Sequence, residues 1–422
     1  MPSLSVIAGP ITLADRYQAI RSFTDRIARP LTNEDCMIQS MPDASPTRWH
    51  MAHSTWFFET FILAERPGYR EFDPQFRYLF NSYYNSVGNQ YPRAQRGLIS
   101  RPGQQRTVEY RQYVDEQMLD FLSNNSISDQ LEHTISVGLN HEQQHQELML
   151  TDIKHAFFCN PLLPAYDADG QLNRGQMFDS DWVNFSGRIC EIGHDGTGFA
   201  FDNESPRHRV LLEDFSLATQ PVNCREYMDF IRDGGYERPD HWLSMGWAAV
   251  QQQGWRAPLY WYEQDNQWMV YTSAGPTAVC DSWPVCHVSY FEADAFARWA
   301  GYRLPTEFEW EAGCPEQPSD QFADLLLDKN AAIHPTGQGA QENQLAQMLG
   351  GVWEWTSSSY SAYPRYTPPN GAIGEYNGKF MCNQYVSRGG SVATSQNHIR
   401  RTYRNFFPPE ARWQYSGIRL AR

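Results

Sequence analysis

The sequence has few basic residues, no C-x-x-C cysteine pair and no long apolar run. Lys and Arg number 34 against 49 Asp and Glu, so the net charge of −15 disfavours nucleic acid or an anionic membrane surface as a partner. A membrane-spanning helix needs roughly 18 or more apolar residues in succession, and no such run is present. The N-terminal segment lacks a basic residue ahead of an apolar stretch, so no secretory signal is expected. The scattered cysteines predict reduced thiols in a cytoplasmic protein.

Aromatic residues, by contrast, are abundant. They make up 14% of the 422 residues, and most of them are expected to pack in the core, with some available to wall a ligand pocket. Apolar residues at 41% and charged residues at 20% are typical of a folded globular protein. The length predicts two or three domains, and the composition changes after residue 160.

Residues 1–165 predict a four-helix bundle. Four segments have apolar residues at helical spacing: 11–29, 46–66, 107–124 and 128–158. The connection over 67–102 is long and rich in Tyr, Asn, Pro and Gly. A connection of that length and composition is typical of a functional loop.

Residues 166–422 predict an irregular α+β domain, dense in Trp, Gly and Pro. Two helices are expected, over 224–233 and 291–300, together with strand-like runs at 209–212 and 380–386. The sequence contains no internal repeat. The predicted fold class is therefore α+β with two domains, a helical bundle followed by an irregular domain.

His141 and His145 form the strongest candidate site. Residues four apart on a helix project from one face, so two imidazoles at this spacing can bind one metal ion. Two exposed surface histidines are the alternative, but the apolar residues around the pair indicate a buried helix face. The segment HEQQH also matches the zinc peptidase signature, in which Glu142 would be the general base. No histidine follows at the spacing of the extended peptidase motif.

A third ligand is expected from the earlier helix, which contains WHMAHSTWFF at 49–58. His50 and His53 are three residues apart, so only one of them needs to face the metal. A site of three histidines leaves up to three coordination positions open. Such ligand-poor sites suit non-haem iron(II) that must bind both a substrate and dioxygen.

Motifs in both halves match a known enzyme family. The first half has AH at 52–53, WFFE at 56–59 and H-x-x-x-H-x-E at 141–147. The second half has PVCHVS at 284–289, GYRLPTEFEWE at 301–311, GGVWEW at 350–355, SRGGS at 387–391 and SGIRL at 416–420. Together they resemble the hercynine-dependent sulfoxide synthases of ergothioneine biosynthesis. This family combines a DinB-like four-helix bundle with a domain shared by formylglycine-generating enzyme and C-type lectins.

The resemblance implies a reaction and a cofactor. Members of the family use iron(II) and dioxygen to join a thiol to C2 of the hercynine imidazole, and the product is a sulfoxide. The resemblance implies His53, His141 and His145 as the Fe(2+) ligands and residues 166–422 as a wall of the substrate site. Formylglycine-generating chemistry is excluded, because it needs a reactive cysteine pair near the C-terminus and no cysteine follows Cys382.

The resemblance also implies roles for other residues. Arg93 and Arg96 match arginines that hold the carboxylate of the thiol substrate, which a guanidinium can bind with two hydrogen bonds. A solvated basic turn is the alternative. Tyr83 and Tyr84 match loop tyrosines that one subgroup uses as proton donors, and aromatic packing is the alternative. Gln144, on the metal-facing side of its helix, matches a residue near the hercynine carboxylate.

The run Asn405-Phe406-Phe407 departs from the actinobacterial type of the family, which has Asn-Trp-Asp there. Two phenyl rings could instead hold the trimethylammonium group through their faces. That type also uses a catalytic tyrosine from the second domain, for which this sequence offers no clear match. Both departures indicate the subgroup that pairs loop tyrosines with free cysteine rather than γ-glutamylcysteine. The expected activity is therefore the iron(II)- and oxygen-dependent coupling of L-cysteine to hercynine.

Three alternatives stay open at this point. A selenoneine synthase has the same architecture but takes a selenosugar as its donor. A zinc peptidase would purify with zinc and act without oxygen. A non-catalytic lectin-like binder would keep its ligand affinity when His141 is removed.

Overall fold

A computed structural model describes residues 12–315, 331–340 and 343–422. The chain divides into two compact units, Met1–Ala156 and Phe157–Arg422. The predicted start of the first helix, at Ile11, lies outside the described residues. Within the described ranges, no helix is both long enough and apolar enough to cross a membrane.

The first unit is helical, which confirms the prediction for this part of the chain. Its α-helices are α1 (Leu13–Ala28), α2 (Thr47–Phe58), α3 (Phe76–Leu79), α4 (Gln104–Asn124) and α5 (Asp129–Phe158). Helix α1 begins at a capping box, in which the side chains of Thr12 and Asp15 each accept the other's backbone N–H. Helix α2 does not continue as an α-helix to Arg66, because the chain forms a π-helix over Glu59–Leu63.

The long connection between α2 and α4 is ordered. It contains α3 and a 3-10 helix at Arg93–Leu98. Asn81, which is fully buried, accepts the Tyr84 N–H at 3.1 Å and donates to the carbonyl oxygens of Tyr84 and Gly88 at 3.0 and 3.1 Å. One buried amide therefore fixes the course of the loop that carries the predicted functional tyrosines.

Helix α2 is buried on every side, including its histidines. A helix buried all round needs close neighbours, and Gly138 on α5 provides one. A Cβ atom added at Gly138 would lie 2.7 Å from Cε1 of Phe57 and 2.8 Å from Cε1 of Phe58. The missing side chain thus lets α2 and α5 approach closely, which brings the histidines of the two helices together.

The second unit consists of short strands with helices between them. Its strands are β1 (Trp182–Phe185), β2 (Arg188–Ile192), β3 (His208–Leu212), β4 (Phe215–Ala218), β5 (Trp261–Gln264), β6 (Gln267–Thr272), β7 (Gly275–Ala278), β8 (Trp353–Ser359), β9 (Tyr385–Arg388), β10 (Asn405–Phe407) and β11 (Ser416–Gly417). One sheet has the order β10-β9-β8-β11, in which only the β11–β8 pair is parallel. The α+β fold class is confirmed.

Two helices of this unit confirm the sequence prediction, and two are additional. Helices α6 (Cys224–Arg232) and α8 (Tyr290–Trp299) lie where they are predicted. Helices α7 (Ser244–Gln253) and α9 (Glu307–Gly313) are not predicted from the sequence. Helix α9 has only seven residues, and a capping box fixes its start, so it offers too little apolar periodicity to be recognised.

The strand predicted over 380–386 is only partly right. The chain is extended over β9, but Gly378–Phe380 forms a 3-10 helix. The strand predicted at 209–212 is confirmed as β3. Phe380 lies before β9 and packs its ring against Phe406, whereas Tyr385 pairs with Phe407 in the sheet.

Buried ion pairs explain several motifs of the second half. Arg419 donates to Oε1 of Glu354 from Nη2 at 2.7 Å, and Trp310 donates to Oε2 of the same carboxylate at 2.6 Å. Arg404 donates to both oxygens of Glu307, at 2.8 and 3.0 Å. All five side chains are buried. Four of these residues belong to the sequence motifs and Arg404 lies outside them, and all five stabilise the fold of the second unit.

Candidate metal centre

Three histidines of the first unit converge on one point. His53 comes from α2, and His141 and His145 come from successive turns of α5. Nε2 of His141 lies 3.2 Å from Nε2 of His53 and 2.9 Å from Nε2 of His145. Within the described ranges, these three residues are the cluster of His, Cys, Asp and Glu side chains that could hold a metal, and all three are buried.

The spacing of the Nε2 atoms fits nitrogens that bind one metal ion. For a metal–nitrogen bond of about 2.1 Å, two ligands at 90° have nitrogens about 3.0 Å apart, and two at the tetrahedral angle about 3.4 Å apart. The observed 2.9 Å is close to the first value and the observed 3.2 Å lies midway between the two, so both spacings fit bonds to one ion. Three ligands on adjacent positions of an octahedron leave three positions open on the opposite side.

The protonation of the rings also fits a cation. Burial lowers the pKa of His141 to about 3 and lowers the pKa values of His53 and His145 well below the usual range, so the imidazoles are neutral. Nδ1 of His53 lies 2.6 Å from the carbonyl oxygen of Phe80, which can only accept a hydrogen bond. Nδ1 is therefore the donor, and the lone pair of His53 is on Nε2, where the cluster meets.

His50, the other histidine of the α2 motif, does not join the cluster. Its Nδ1 lies 2.7 Å from Nδ1 of His145, and its Nε2 lies 3.0 Å from Oδ2 of Asp152. Asp152 and the Phe80 carbonyl are both missed by the sequence reasoning. Asp152 lies seven residues after His145 on α5, two helical turns along the same face, so helical periodicity was an available signal.

Aromatic and cationic groups form a stack on His53. The Trp49 ring lies 4.6 Å from the His53 ring at an interplanar angle of 14°, and Trp56 stacks on His53 at 5.6 Å and 15°. The guanidinium carbon of Arg96 lies 3.3 Å from the centroid of the Trp49 ring. A single indole therefore separates a buried cation from a candidate metal ligand.

Arg96 and Arg93 are in different environments. Arg96 is 3% exposed and donates to the hydroxyls of Ser45 and Ser82, each at 2.9 Å. Burial and the charge of Arg93 lower the pKa of Arg96 well below its ordinary value. Arg96 forms no ion pair with a described carboxylate, whereas Arg93 is exposed and donates to the carbonyl oxygen of Asp43.

The two predicted tyrosines lie side by side. Tyr84 is completely buried and packs on Trp56, with the ring centroids 5.6 Å apart. Tyr83 is half-buried and stacks on Tyr84 at 4.6 Å. Since Trp56 stacks on His53, the tyrosine pair extends the aromatic layer that begins at the candidate metal ligand.

Glu142 is bound by cations and a hydroxyl of neighbouring helices. Its Oε1 accepts from Nη2 of Arg111 at 2.7 Å and from the Thr24 hydroxyl at 2.6 Å, and its Oε2 accepts from Nη1 of Arg21 at 3.0 Å. These partners, with burial opposing them, hold the pKa of Glu142 at about 2. A carboxylate so paired is unavailable as a general base, so the peptidase interpretation of HEQQH loses its catalytic group.

The other predicted site residues lie in separate parts of the fold. Gln144 is half-buried on α5, directly before His145. Asn405, Phe406 and Phe407 form strand β10 in the second unit, and all three are half-buried. The Tyr360 ring covers one face of Phe406 at 4.0 Å. Their roles in substrate binding stay predictions.

Comparison with known proteins defines the class of the second unit. The family described as the sulfatase-modifying factor enzyme 1-like domain matches residues 186–422. Formylglycine-generating enzyme of Bos taurus is 25% identical over 257 residues, which cover 50% of this chain and 68% of that protein. The second unit is therefore a domain of this class.

Relatives that match nearly the whole chain define the family. Hercynine oxygenase of Mycolicibacterium smegmatis is 31% identical over 438 residues, which cover 97% of this chain and 98% of that protein. Hercynine oxygenase of Mycobacterium tuberculosis is 31% identical over 439 residues, with coverage of 98% and 99%. The chain belongs to the hercynine oxygenase family, which confirms the resemblance found in the sequence.

Proposed function

We propose that this protein is a non-haem iron(II) and dioxygen-dependent sulfoxide synthase that joins the sulfur of L-cysteine to C2 of the hercynine imidazole. The observation that carries the proposal is the convergence of three neutral imidazoles, on His53, His141 and His145, close enough to bind one metal ion. Membership of the hercynine oxygenase family supports the choice of hercynine as one substrate.

The donor set supports iron rather than a structural zinc ion. A structural zinc site is closed by four protein ligands, whereas the cluster offers three nitrogens and no described carboxylate or thiolate. Bound iron(II) would supply open positions for the thiolate and dioxygen together with the redox chemistry of the coupling. The chain's own contribution is to hold three neutral imidazoles in place and to keep water away from them by burial.

Arg96 is the residue that we assign to the carboxylate of the thiol substrate. It is a buried cation with no described ion-pair partner, so an anionic ligand would offset its desolvation. Its separation from His53 by the single Trp49 ring suits a small thiol amino acid, whose carboxylate and sulfur are only a few bonds apart. Arg93 is exposed and donates to the carbonyl oxygen of Asp43, and it would add a second positive charge near the bound carboxylate.

Tyr83 or Tyr84 is the proton donor in the proposed reaction. Both belong to the loop that Asn81 fixes, and Tyr84 packs on the indole that stacks on His53. Separate substitution of each tyrosine by Phe removes one hydroxyl and preserves the ring. Loss of sulfoxide formation in only one of the two variants identifies the donor, and full activity in both removes this role from the proposal.

We propose that Gln144 binds hercynine. The Gln144 amide can donate to the carboxylate of the betaine. A variant in which Gln144 becomes Leu should raise KM for hercynine without changing the KM for cysteine.

The test is a product assay after anaerobic loading with iron(II). Hercynine and cysteine are added, air is admitted, and the sulfoxide is measured by mass spectrometry. Zinc-loaded protein and oxygen-free samples are the controls, and both should give none. A parallel reaction with a selenosugar competing against cysteine separates the sulfur from the selenium donor. Absence of any coupled product with either donor would overturn the proposal.

A further inference from the structure

Three buried side chains form a continuous hydrogen-bonded chain that ends at a candidate metal ligand. Nδ1 of His145 lies 2.7 Å from Nδ1 of His50, and Nε2 of His50 lies 3.0 Å from Oδ2 of Asp152. The same Oδ2 accepts the backbone N–H of Ser45 at 2.8 Å. His145, His50 and Asp152 are 9%, 2% and 6% exposed, so water does not compete with these bonds.

The hydrogen atoms in this chain have one consistent arrangement. An ionised carboxylate only accepts, so Nε2 of His50 is a donor, and a neutral His50 then carries its lone pair on Nδ1. That lone pair accepts the N–H on Nδ1 of His145. The lone pair of His145 is consequently on Nε2, the atom that lies 2.9 Å from Nε2 of His141.

We infer that His50 and Asp152 are positioning residues, which hold His145 in the ring orientation and tautomer that a metal ion requires. The inference rests on the metal centre of the proposed function but concerns residues outside it. Neither side chain belongs to the three-histidine cluster. Outer-shell partners of this kind typically change metal affinity about 10- to 100-fold when they are lost.

The helix geometry explains why His50 has to link the other two residues. His145 and Asp152 lie on the same face of α5 but about 10 Å apart along its axis, at a rise of about 1.5 Å per residue. The carboxylate therefore cannot reach the His145 ring directly. His50, from the facing helix α2, fills the gap. His53 needs no such link, because the Phe80 carbonyl oxygen already accepts its Nδ1–H.

The experiment measures affinity for iron(II) alone, by anaerobic competition with a coloured chelator, so no turnover is needed. His50→Phe keeps the ring and removes both nitrogens. His50→Gln restores one acceptor for His145 and one donor for Asp152. Asp152→Asn tests the far end of the chain. His155→Phe is the matched control, since His155 lies on α5 and bonds the Ser40 hydroxyl instead, at 2.7 Å.

We expect His50→Phe and Asp152→Asn to weaken iron(II) binding by at least about tenfold, and His50→Gln and His155→Phe to stay within about threefold of the unsubstituted protein. The visible absorption of bound cobalt(II) should also change in the first two variants, which a purely structural role would not cause. Folding is checked by circular dichroism. If His50→Phe does not fold, the iron(II) affinities of Asp152→Asn and His50→Gln are compared instead, and the inference predicts weaker binding in Asp152→Asn.

The inference would be overturned if folded His50→Phe bound iron(II) as tightly as the unsubstituted protein. If His50→Phe is unfolded, the same result in Asp152→Asn would overturn it. An equal loss in the His155 control would also overturn it. These outcomes differ from failure of the proposed function, in which the unsubstituted protein would bind no iron(II) or would form no coupled product.

Discussion

Arg21 and Glu142 form a buried ion pair between α1 and α5, with Nη1 of the arginine 3.0 Å from Oε2 of the carboxylate. Arg111 on α4 donates to the other oxygen at 2.7 Å, so one carboxylate joins three helices of the first unit. Glu142 directly follows the metal-ligand candidate His141. The ion pairs therefore also fix the part of α5 from which the histidines project.

Substitution of Glu142 by Gln should destabilise the protein by about 1.5–3 kcal/mol, because Arg21 and Arg111 lose charge-assisted hydrogen bonds to Glu142. Each guanidinium keeps one carboxylate partner, Asp115 for Arg21 and Asp25 for Arg111. The free energy of unfolding in urea measures this effect. Glu132, exposed in the first turn of the same helix, is the matched control, and its change to Gln should cost less than about 1 kcal/mol. Unchanged stability with abolished activity would instead indicate a catalytic base.

Substitution of Gly138 by Ala should weaken the packing of α2 against α5. In an exposed helix this change stabilises by about 1 kcal/mol through helix propensity. Here the added Cβ would lie 2.7 Å from the Phe57 ring, and overpacking of a buried contact costs about 1–3 kcal/mol. We expect a net loss of unfolding free energy and a weaker affinity for iron(II). A stabilised variant with full iron affinity would show that the contact does not position the histidines.

Substitution of Arg96 by Gln should raise KM for cysteine by about 10- to 100-fold, since a charge-assisted bond to a carboxylate contributes about 1.5–3 kcal/mol. The KM for hercynine should change little. Arg93→Gln, at an exposed position nearby, is the control and should have the smaller effect. Steady-state kinetics with each substrate varied in turn measures both. Equal effects of Arg93→Gln and Arg96→Gln on KM for cysteine would contradict the assignment to the buried arginine.

The sequence is sufficient for part of the metal site. The spacing of His141 and His145 within an apolar helix predicts the pair, and the structure brings them together. The choice between His50 and His53 does not follow from spacing, because three residues along a helix differ by only about 60° in direction. It depends on the rotation of α2, which the contact of Phe57 with Gly138 constrains.

Other partners of the site depend on long-range structure. The carbonyl oxygen of Phe80 reaches His53 because Asn81 fixes the loop that follows α3, and no sequence pattern encodes that loop path. Asp152, by contrast, could be predicted from the sequence, since its spacing from His145 is a helical periodicity. In the second unit, α9 is too short for its periodicity to be read, although its cap at Thr306 and Glu309 is visible.

The central claim is that His53, His141 and His145 hold one iron(II) ion, and iron content after anaerobic loading and desalting tests it most directly. We predict one iron per chain in the unsubstituted protein, and loss of most of it when any one of the three becomes Ala. His133→Ala, at an exposed position on α5, should keep its iron. Full iron content in any of the three variants, or none in the unsubstituted protein, would contradict the claim.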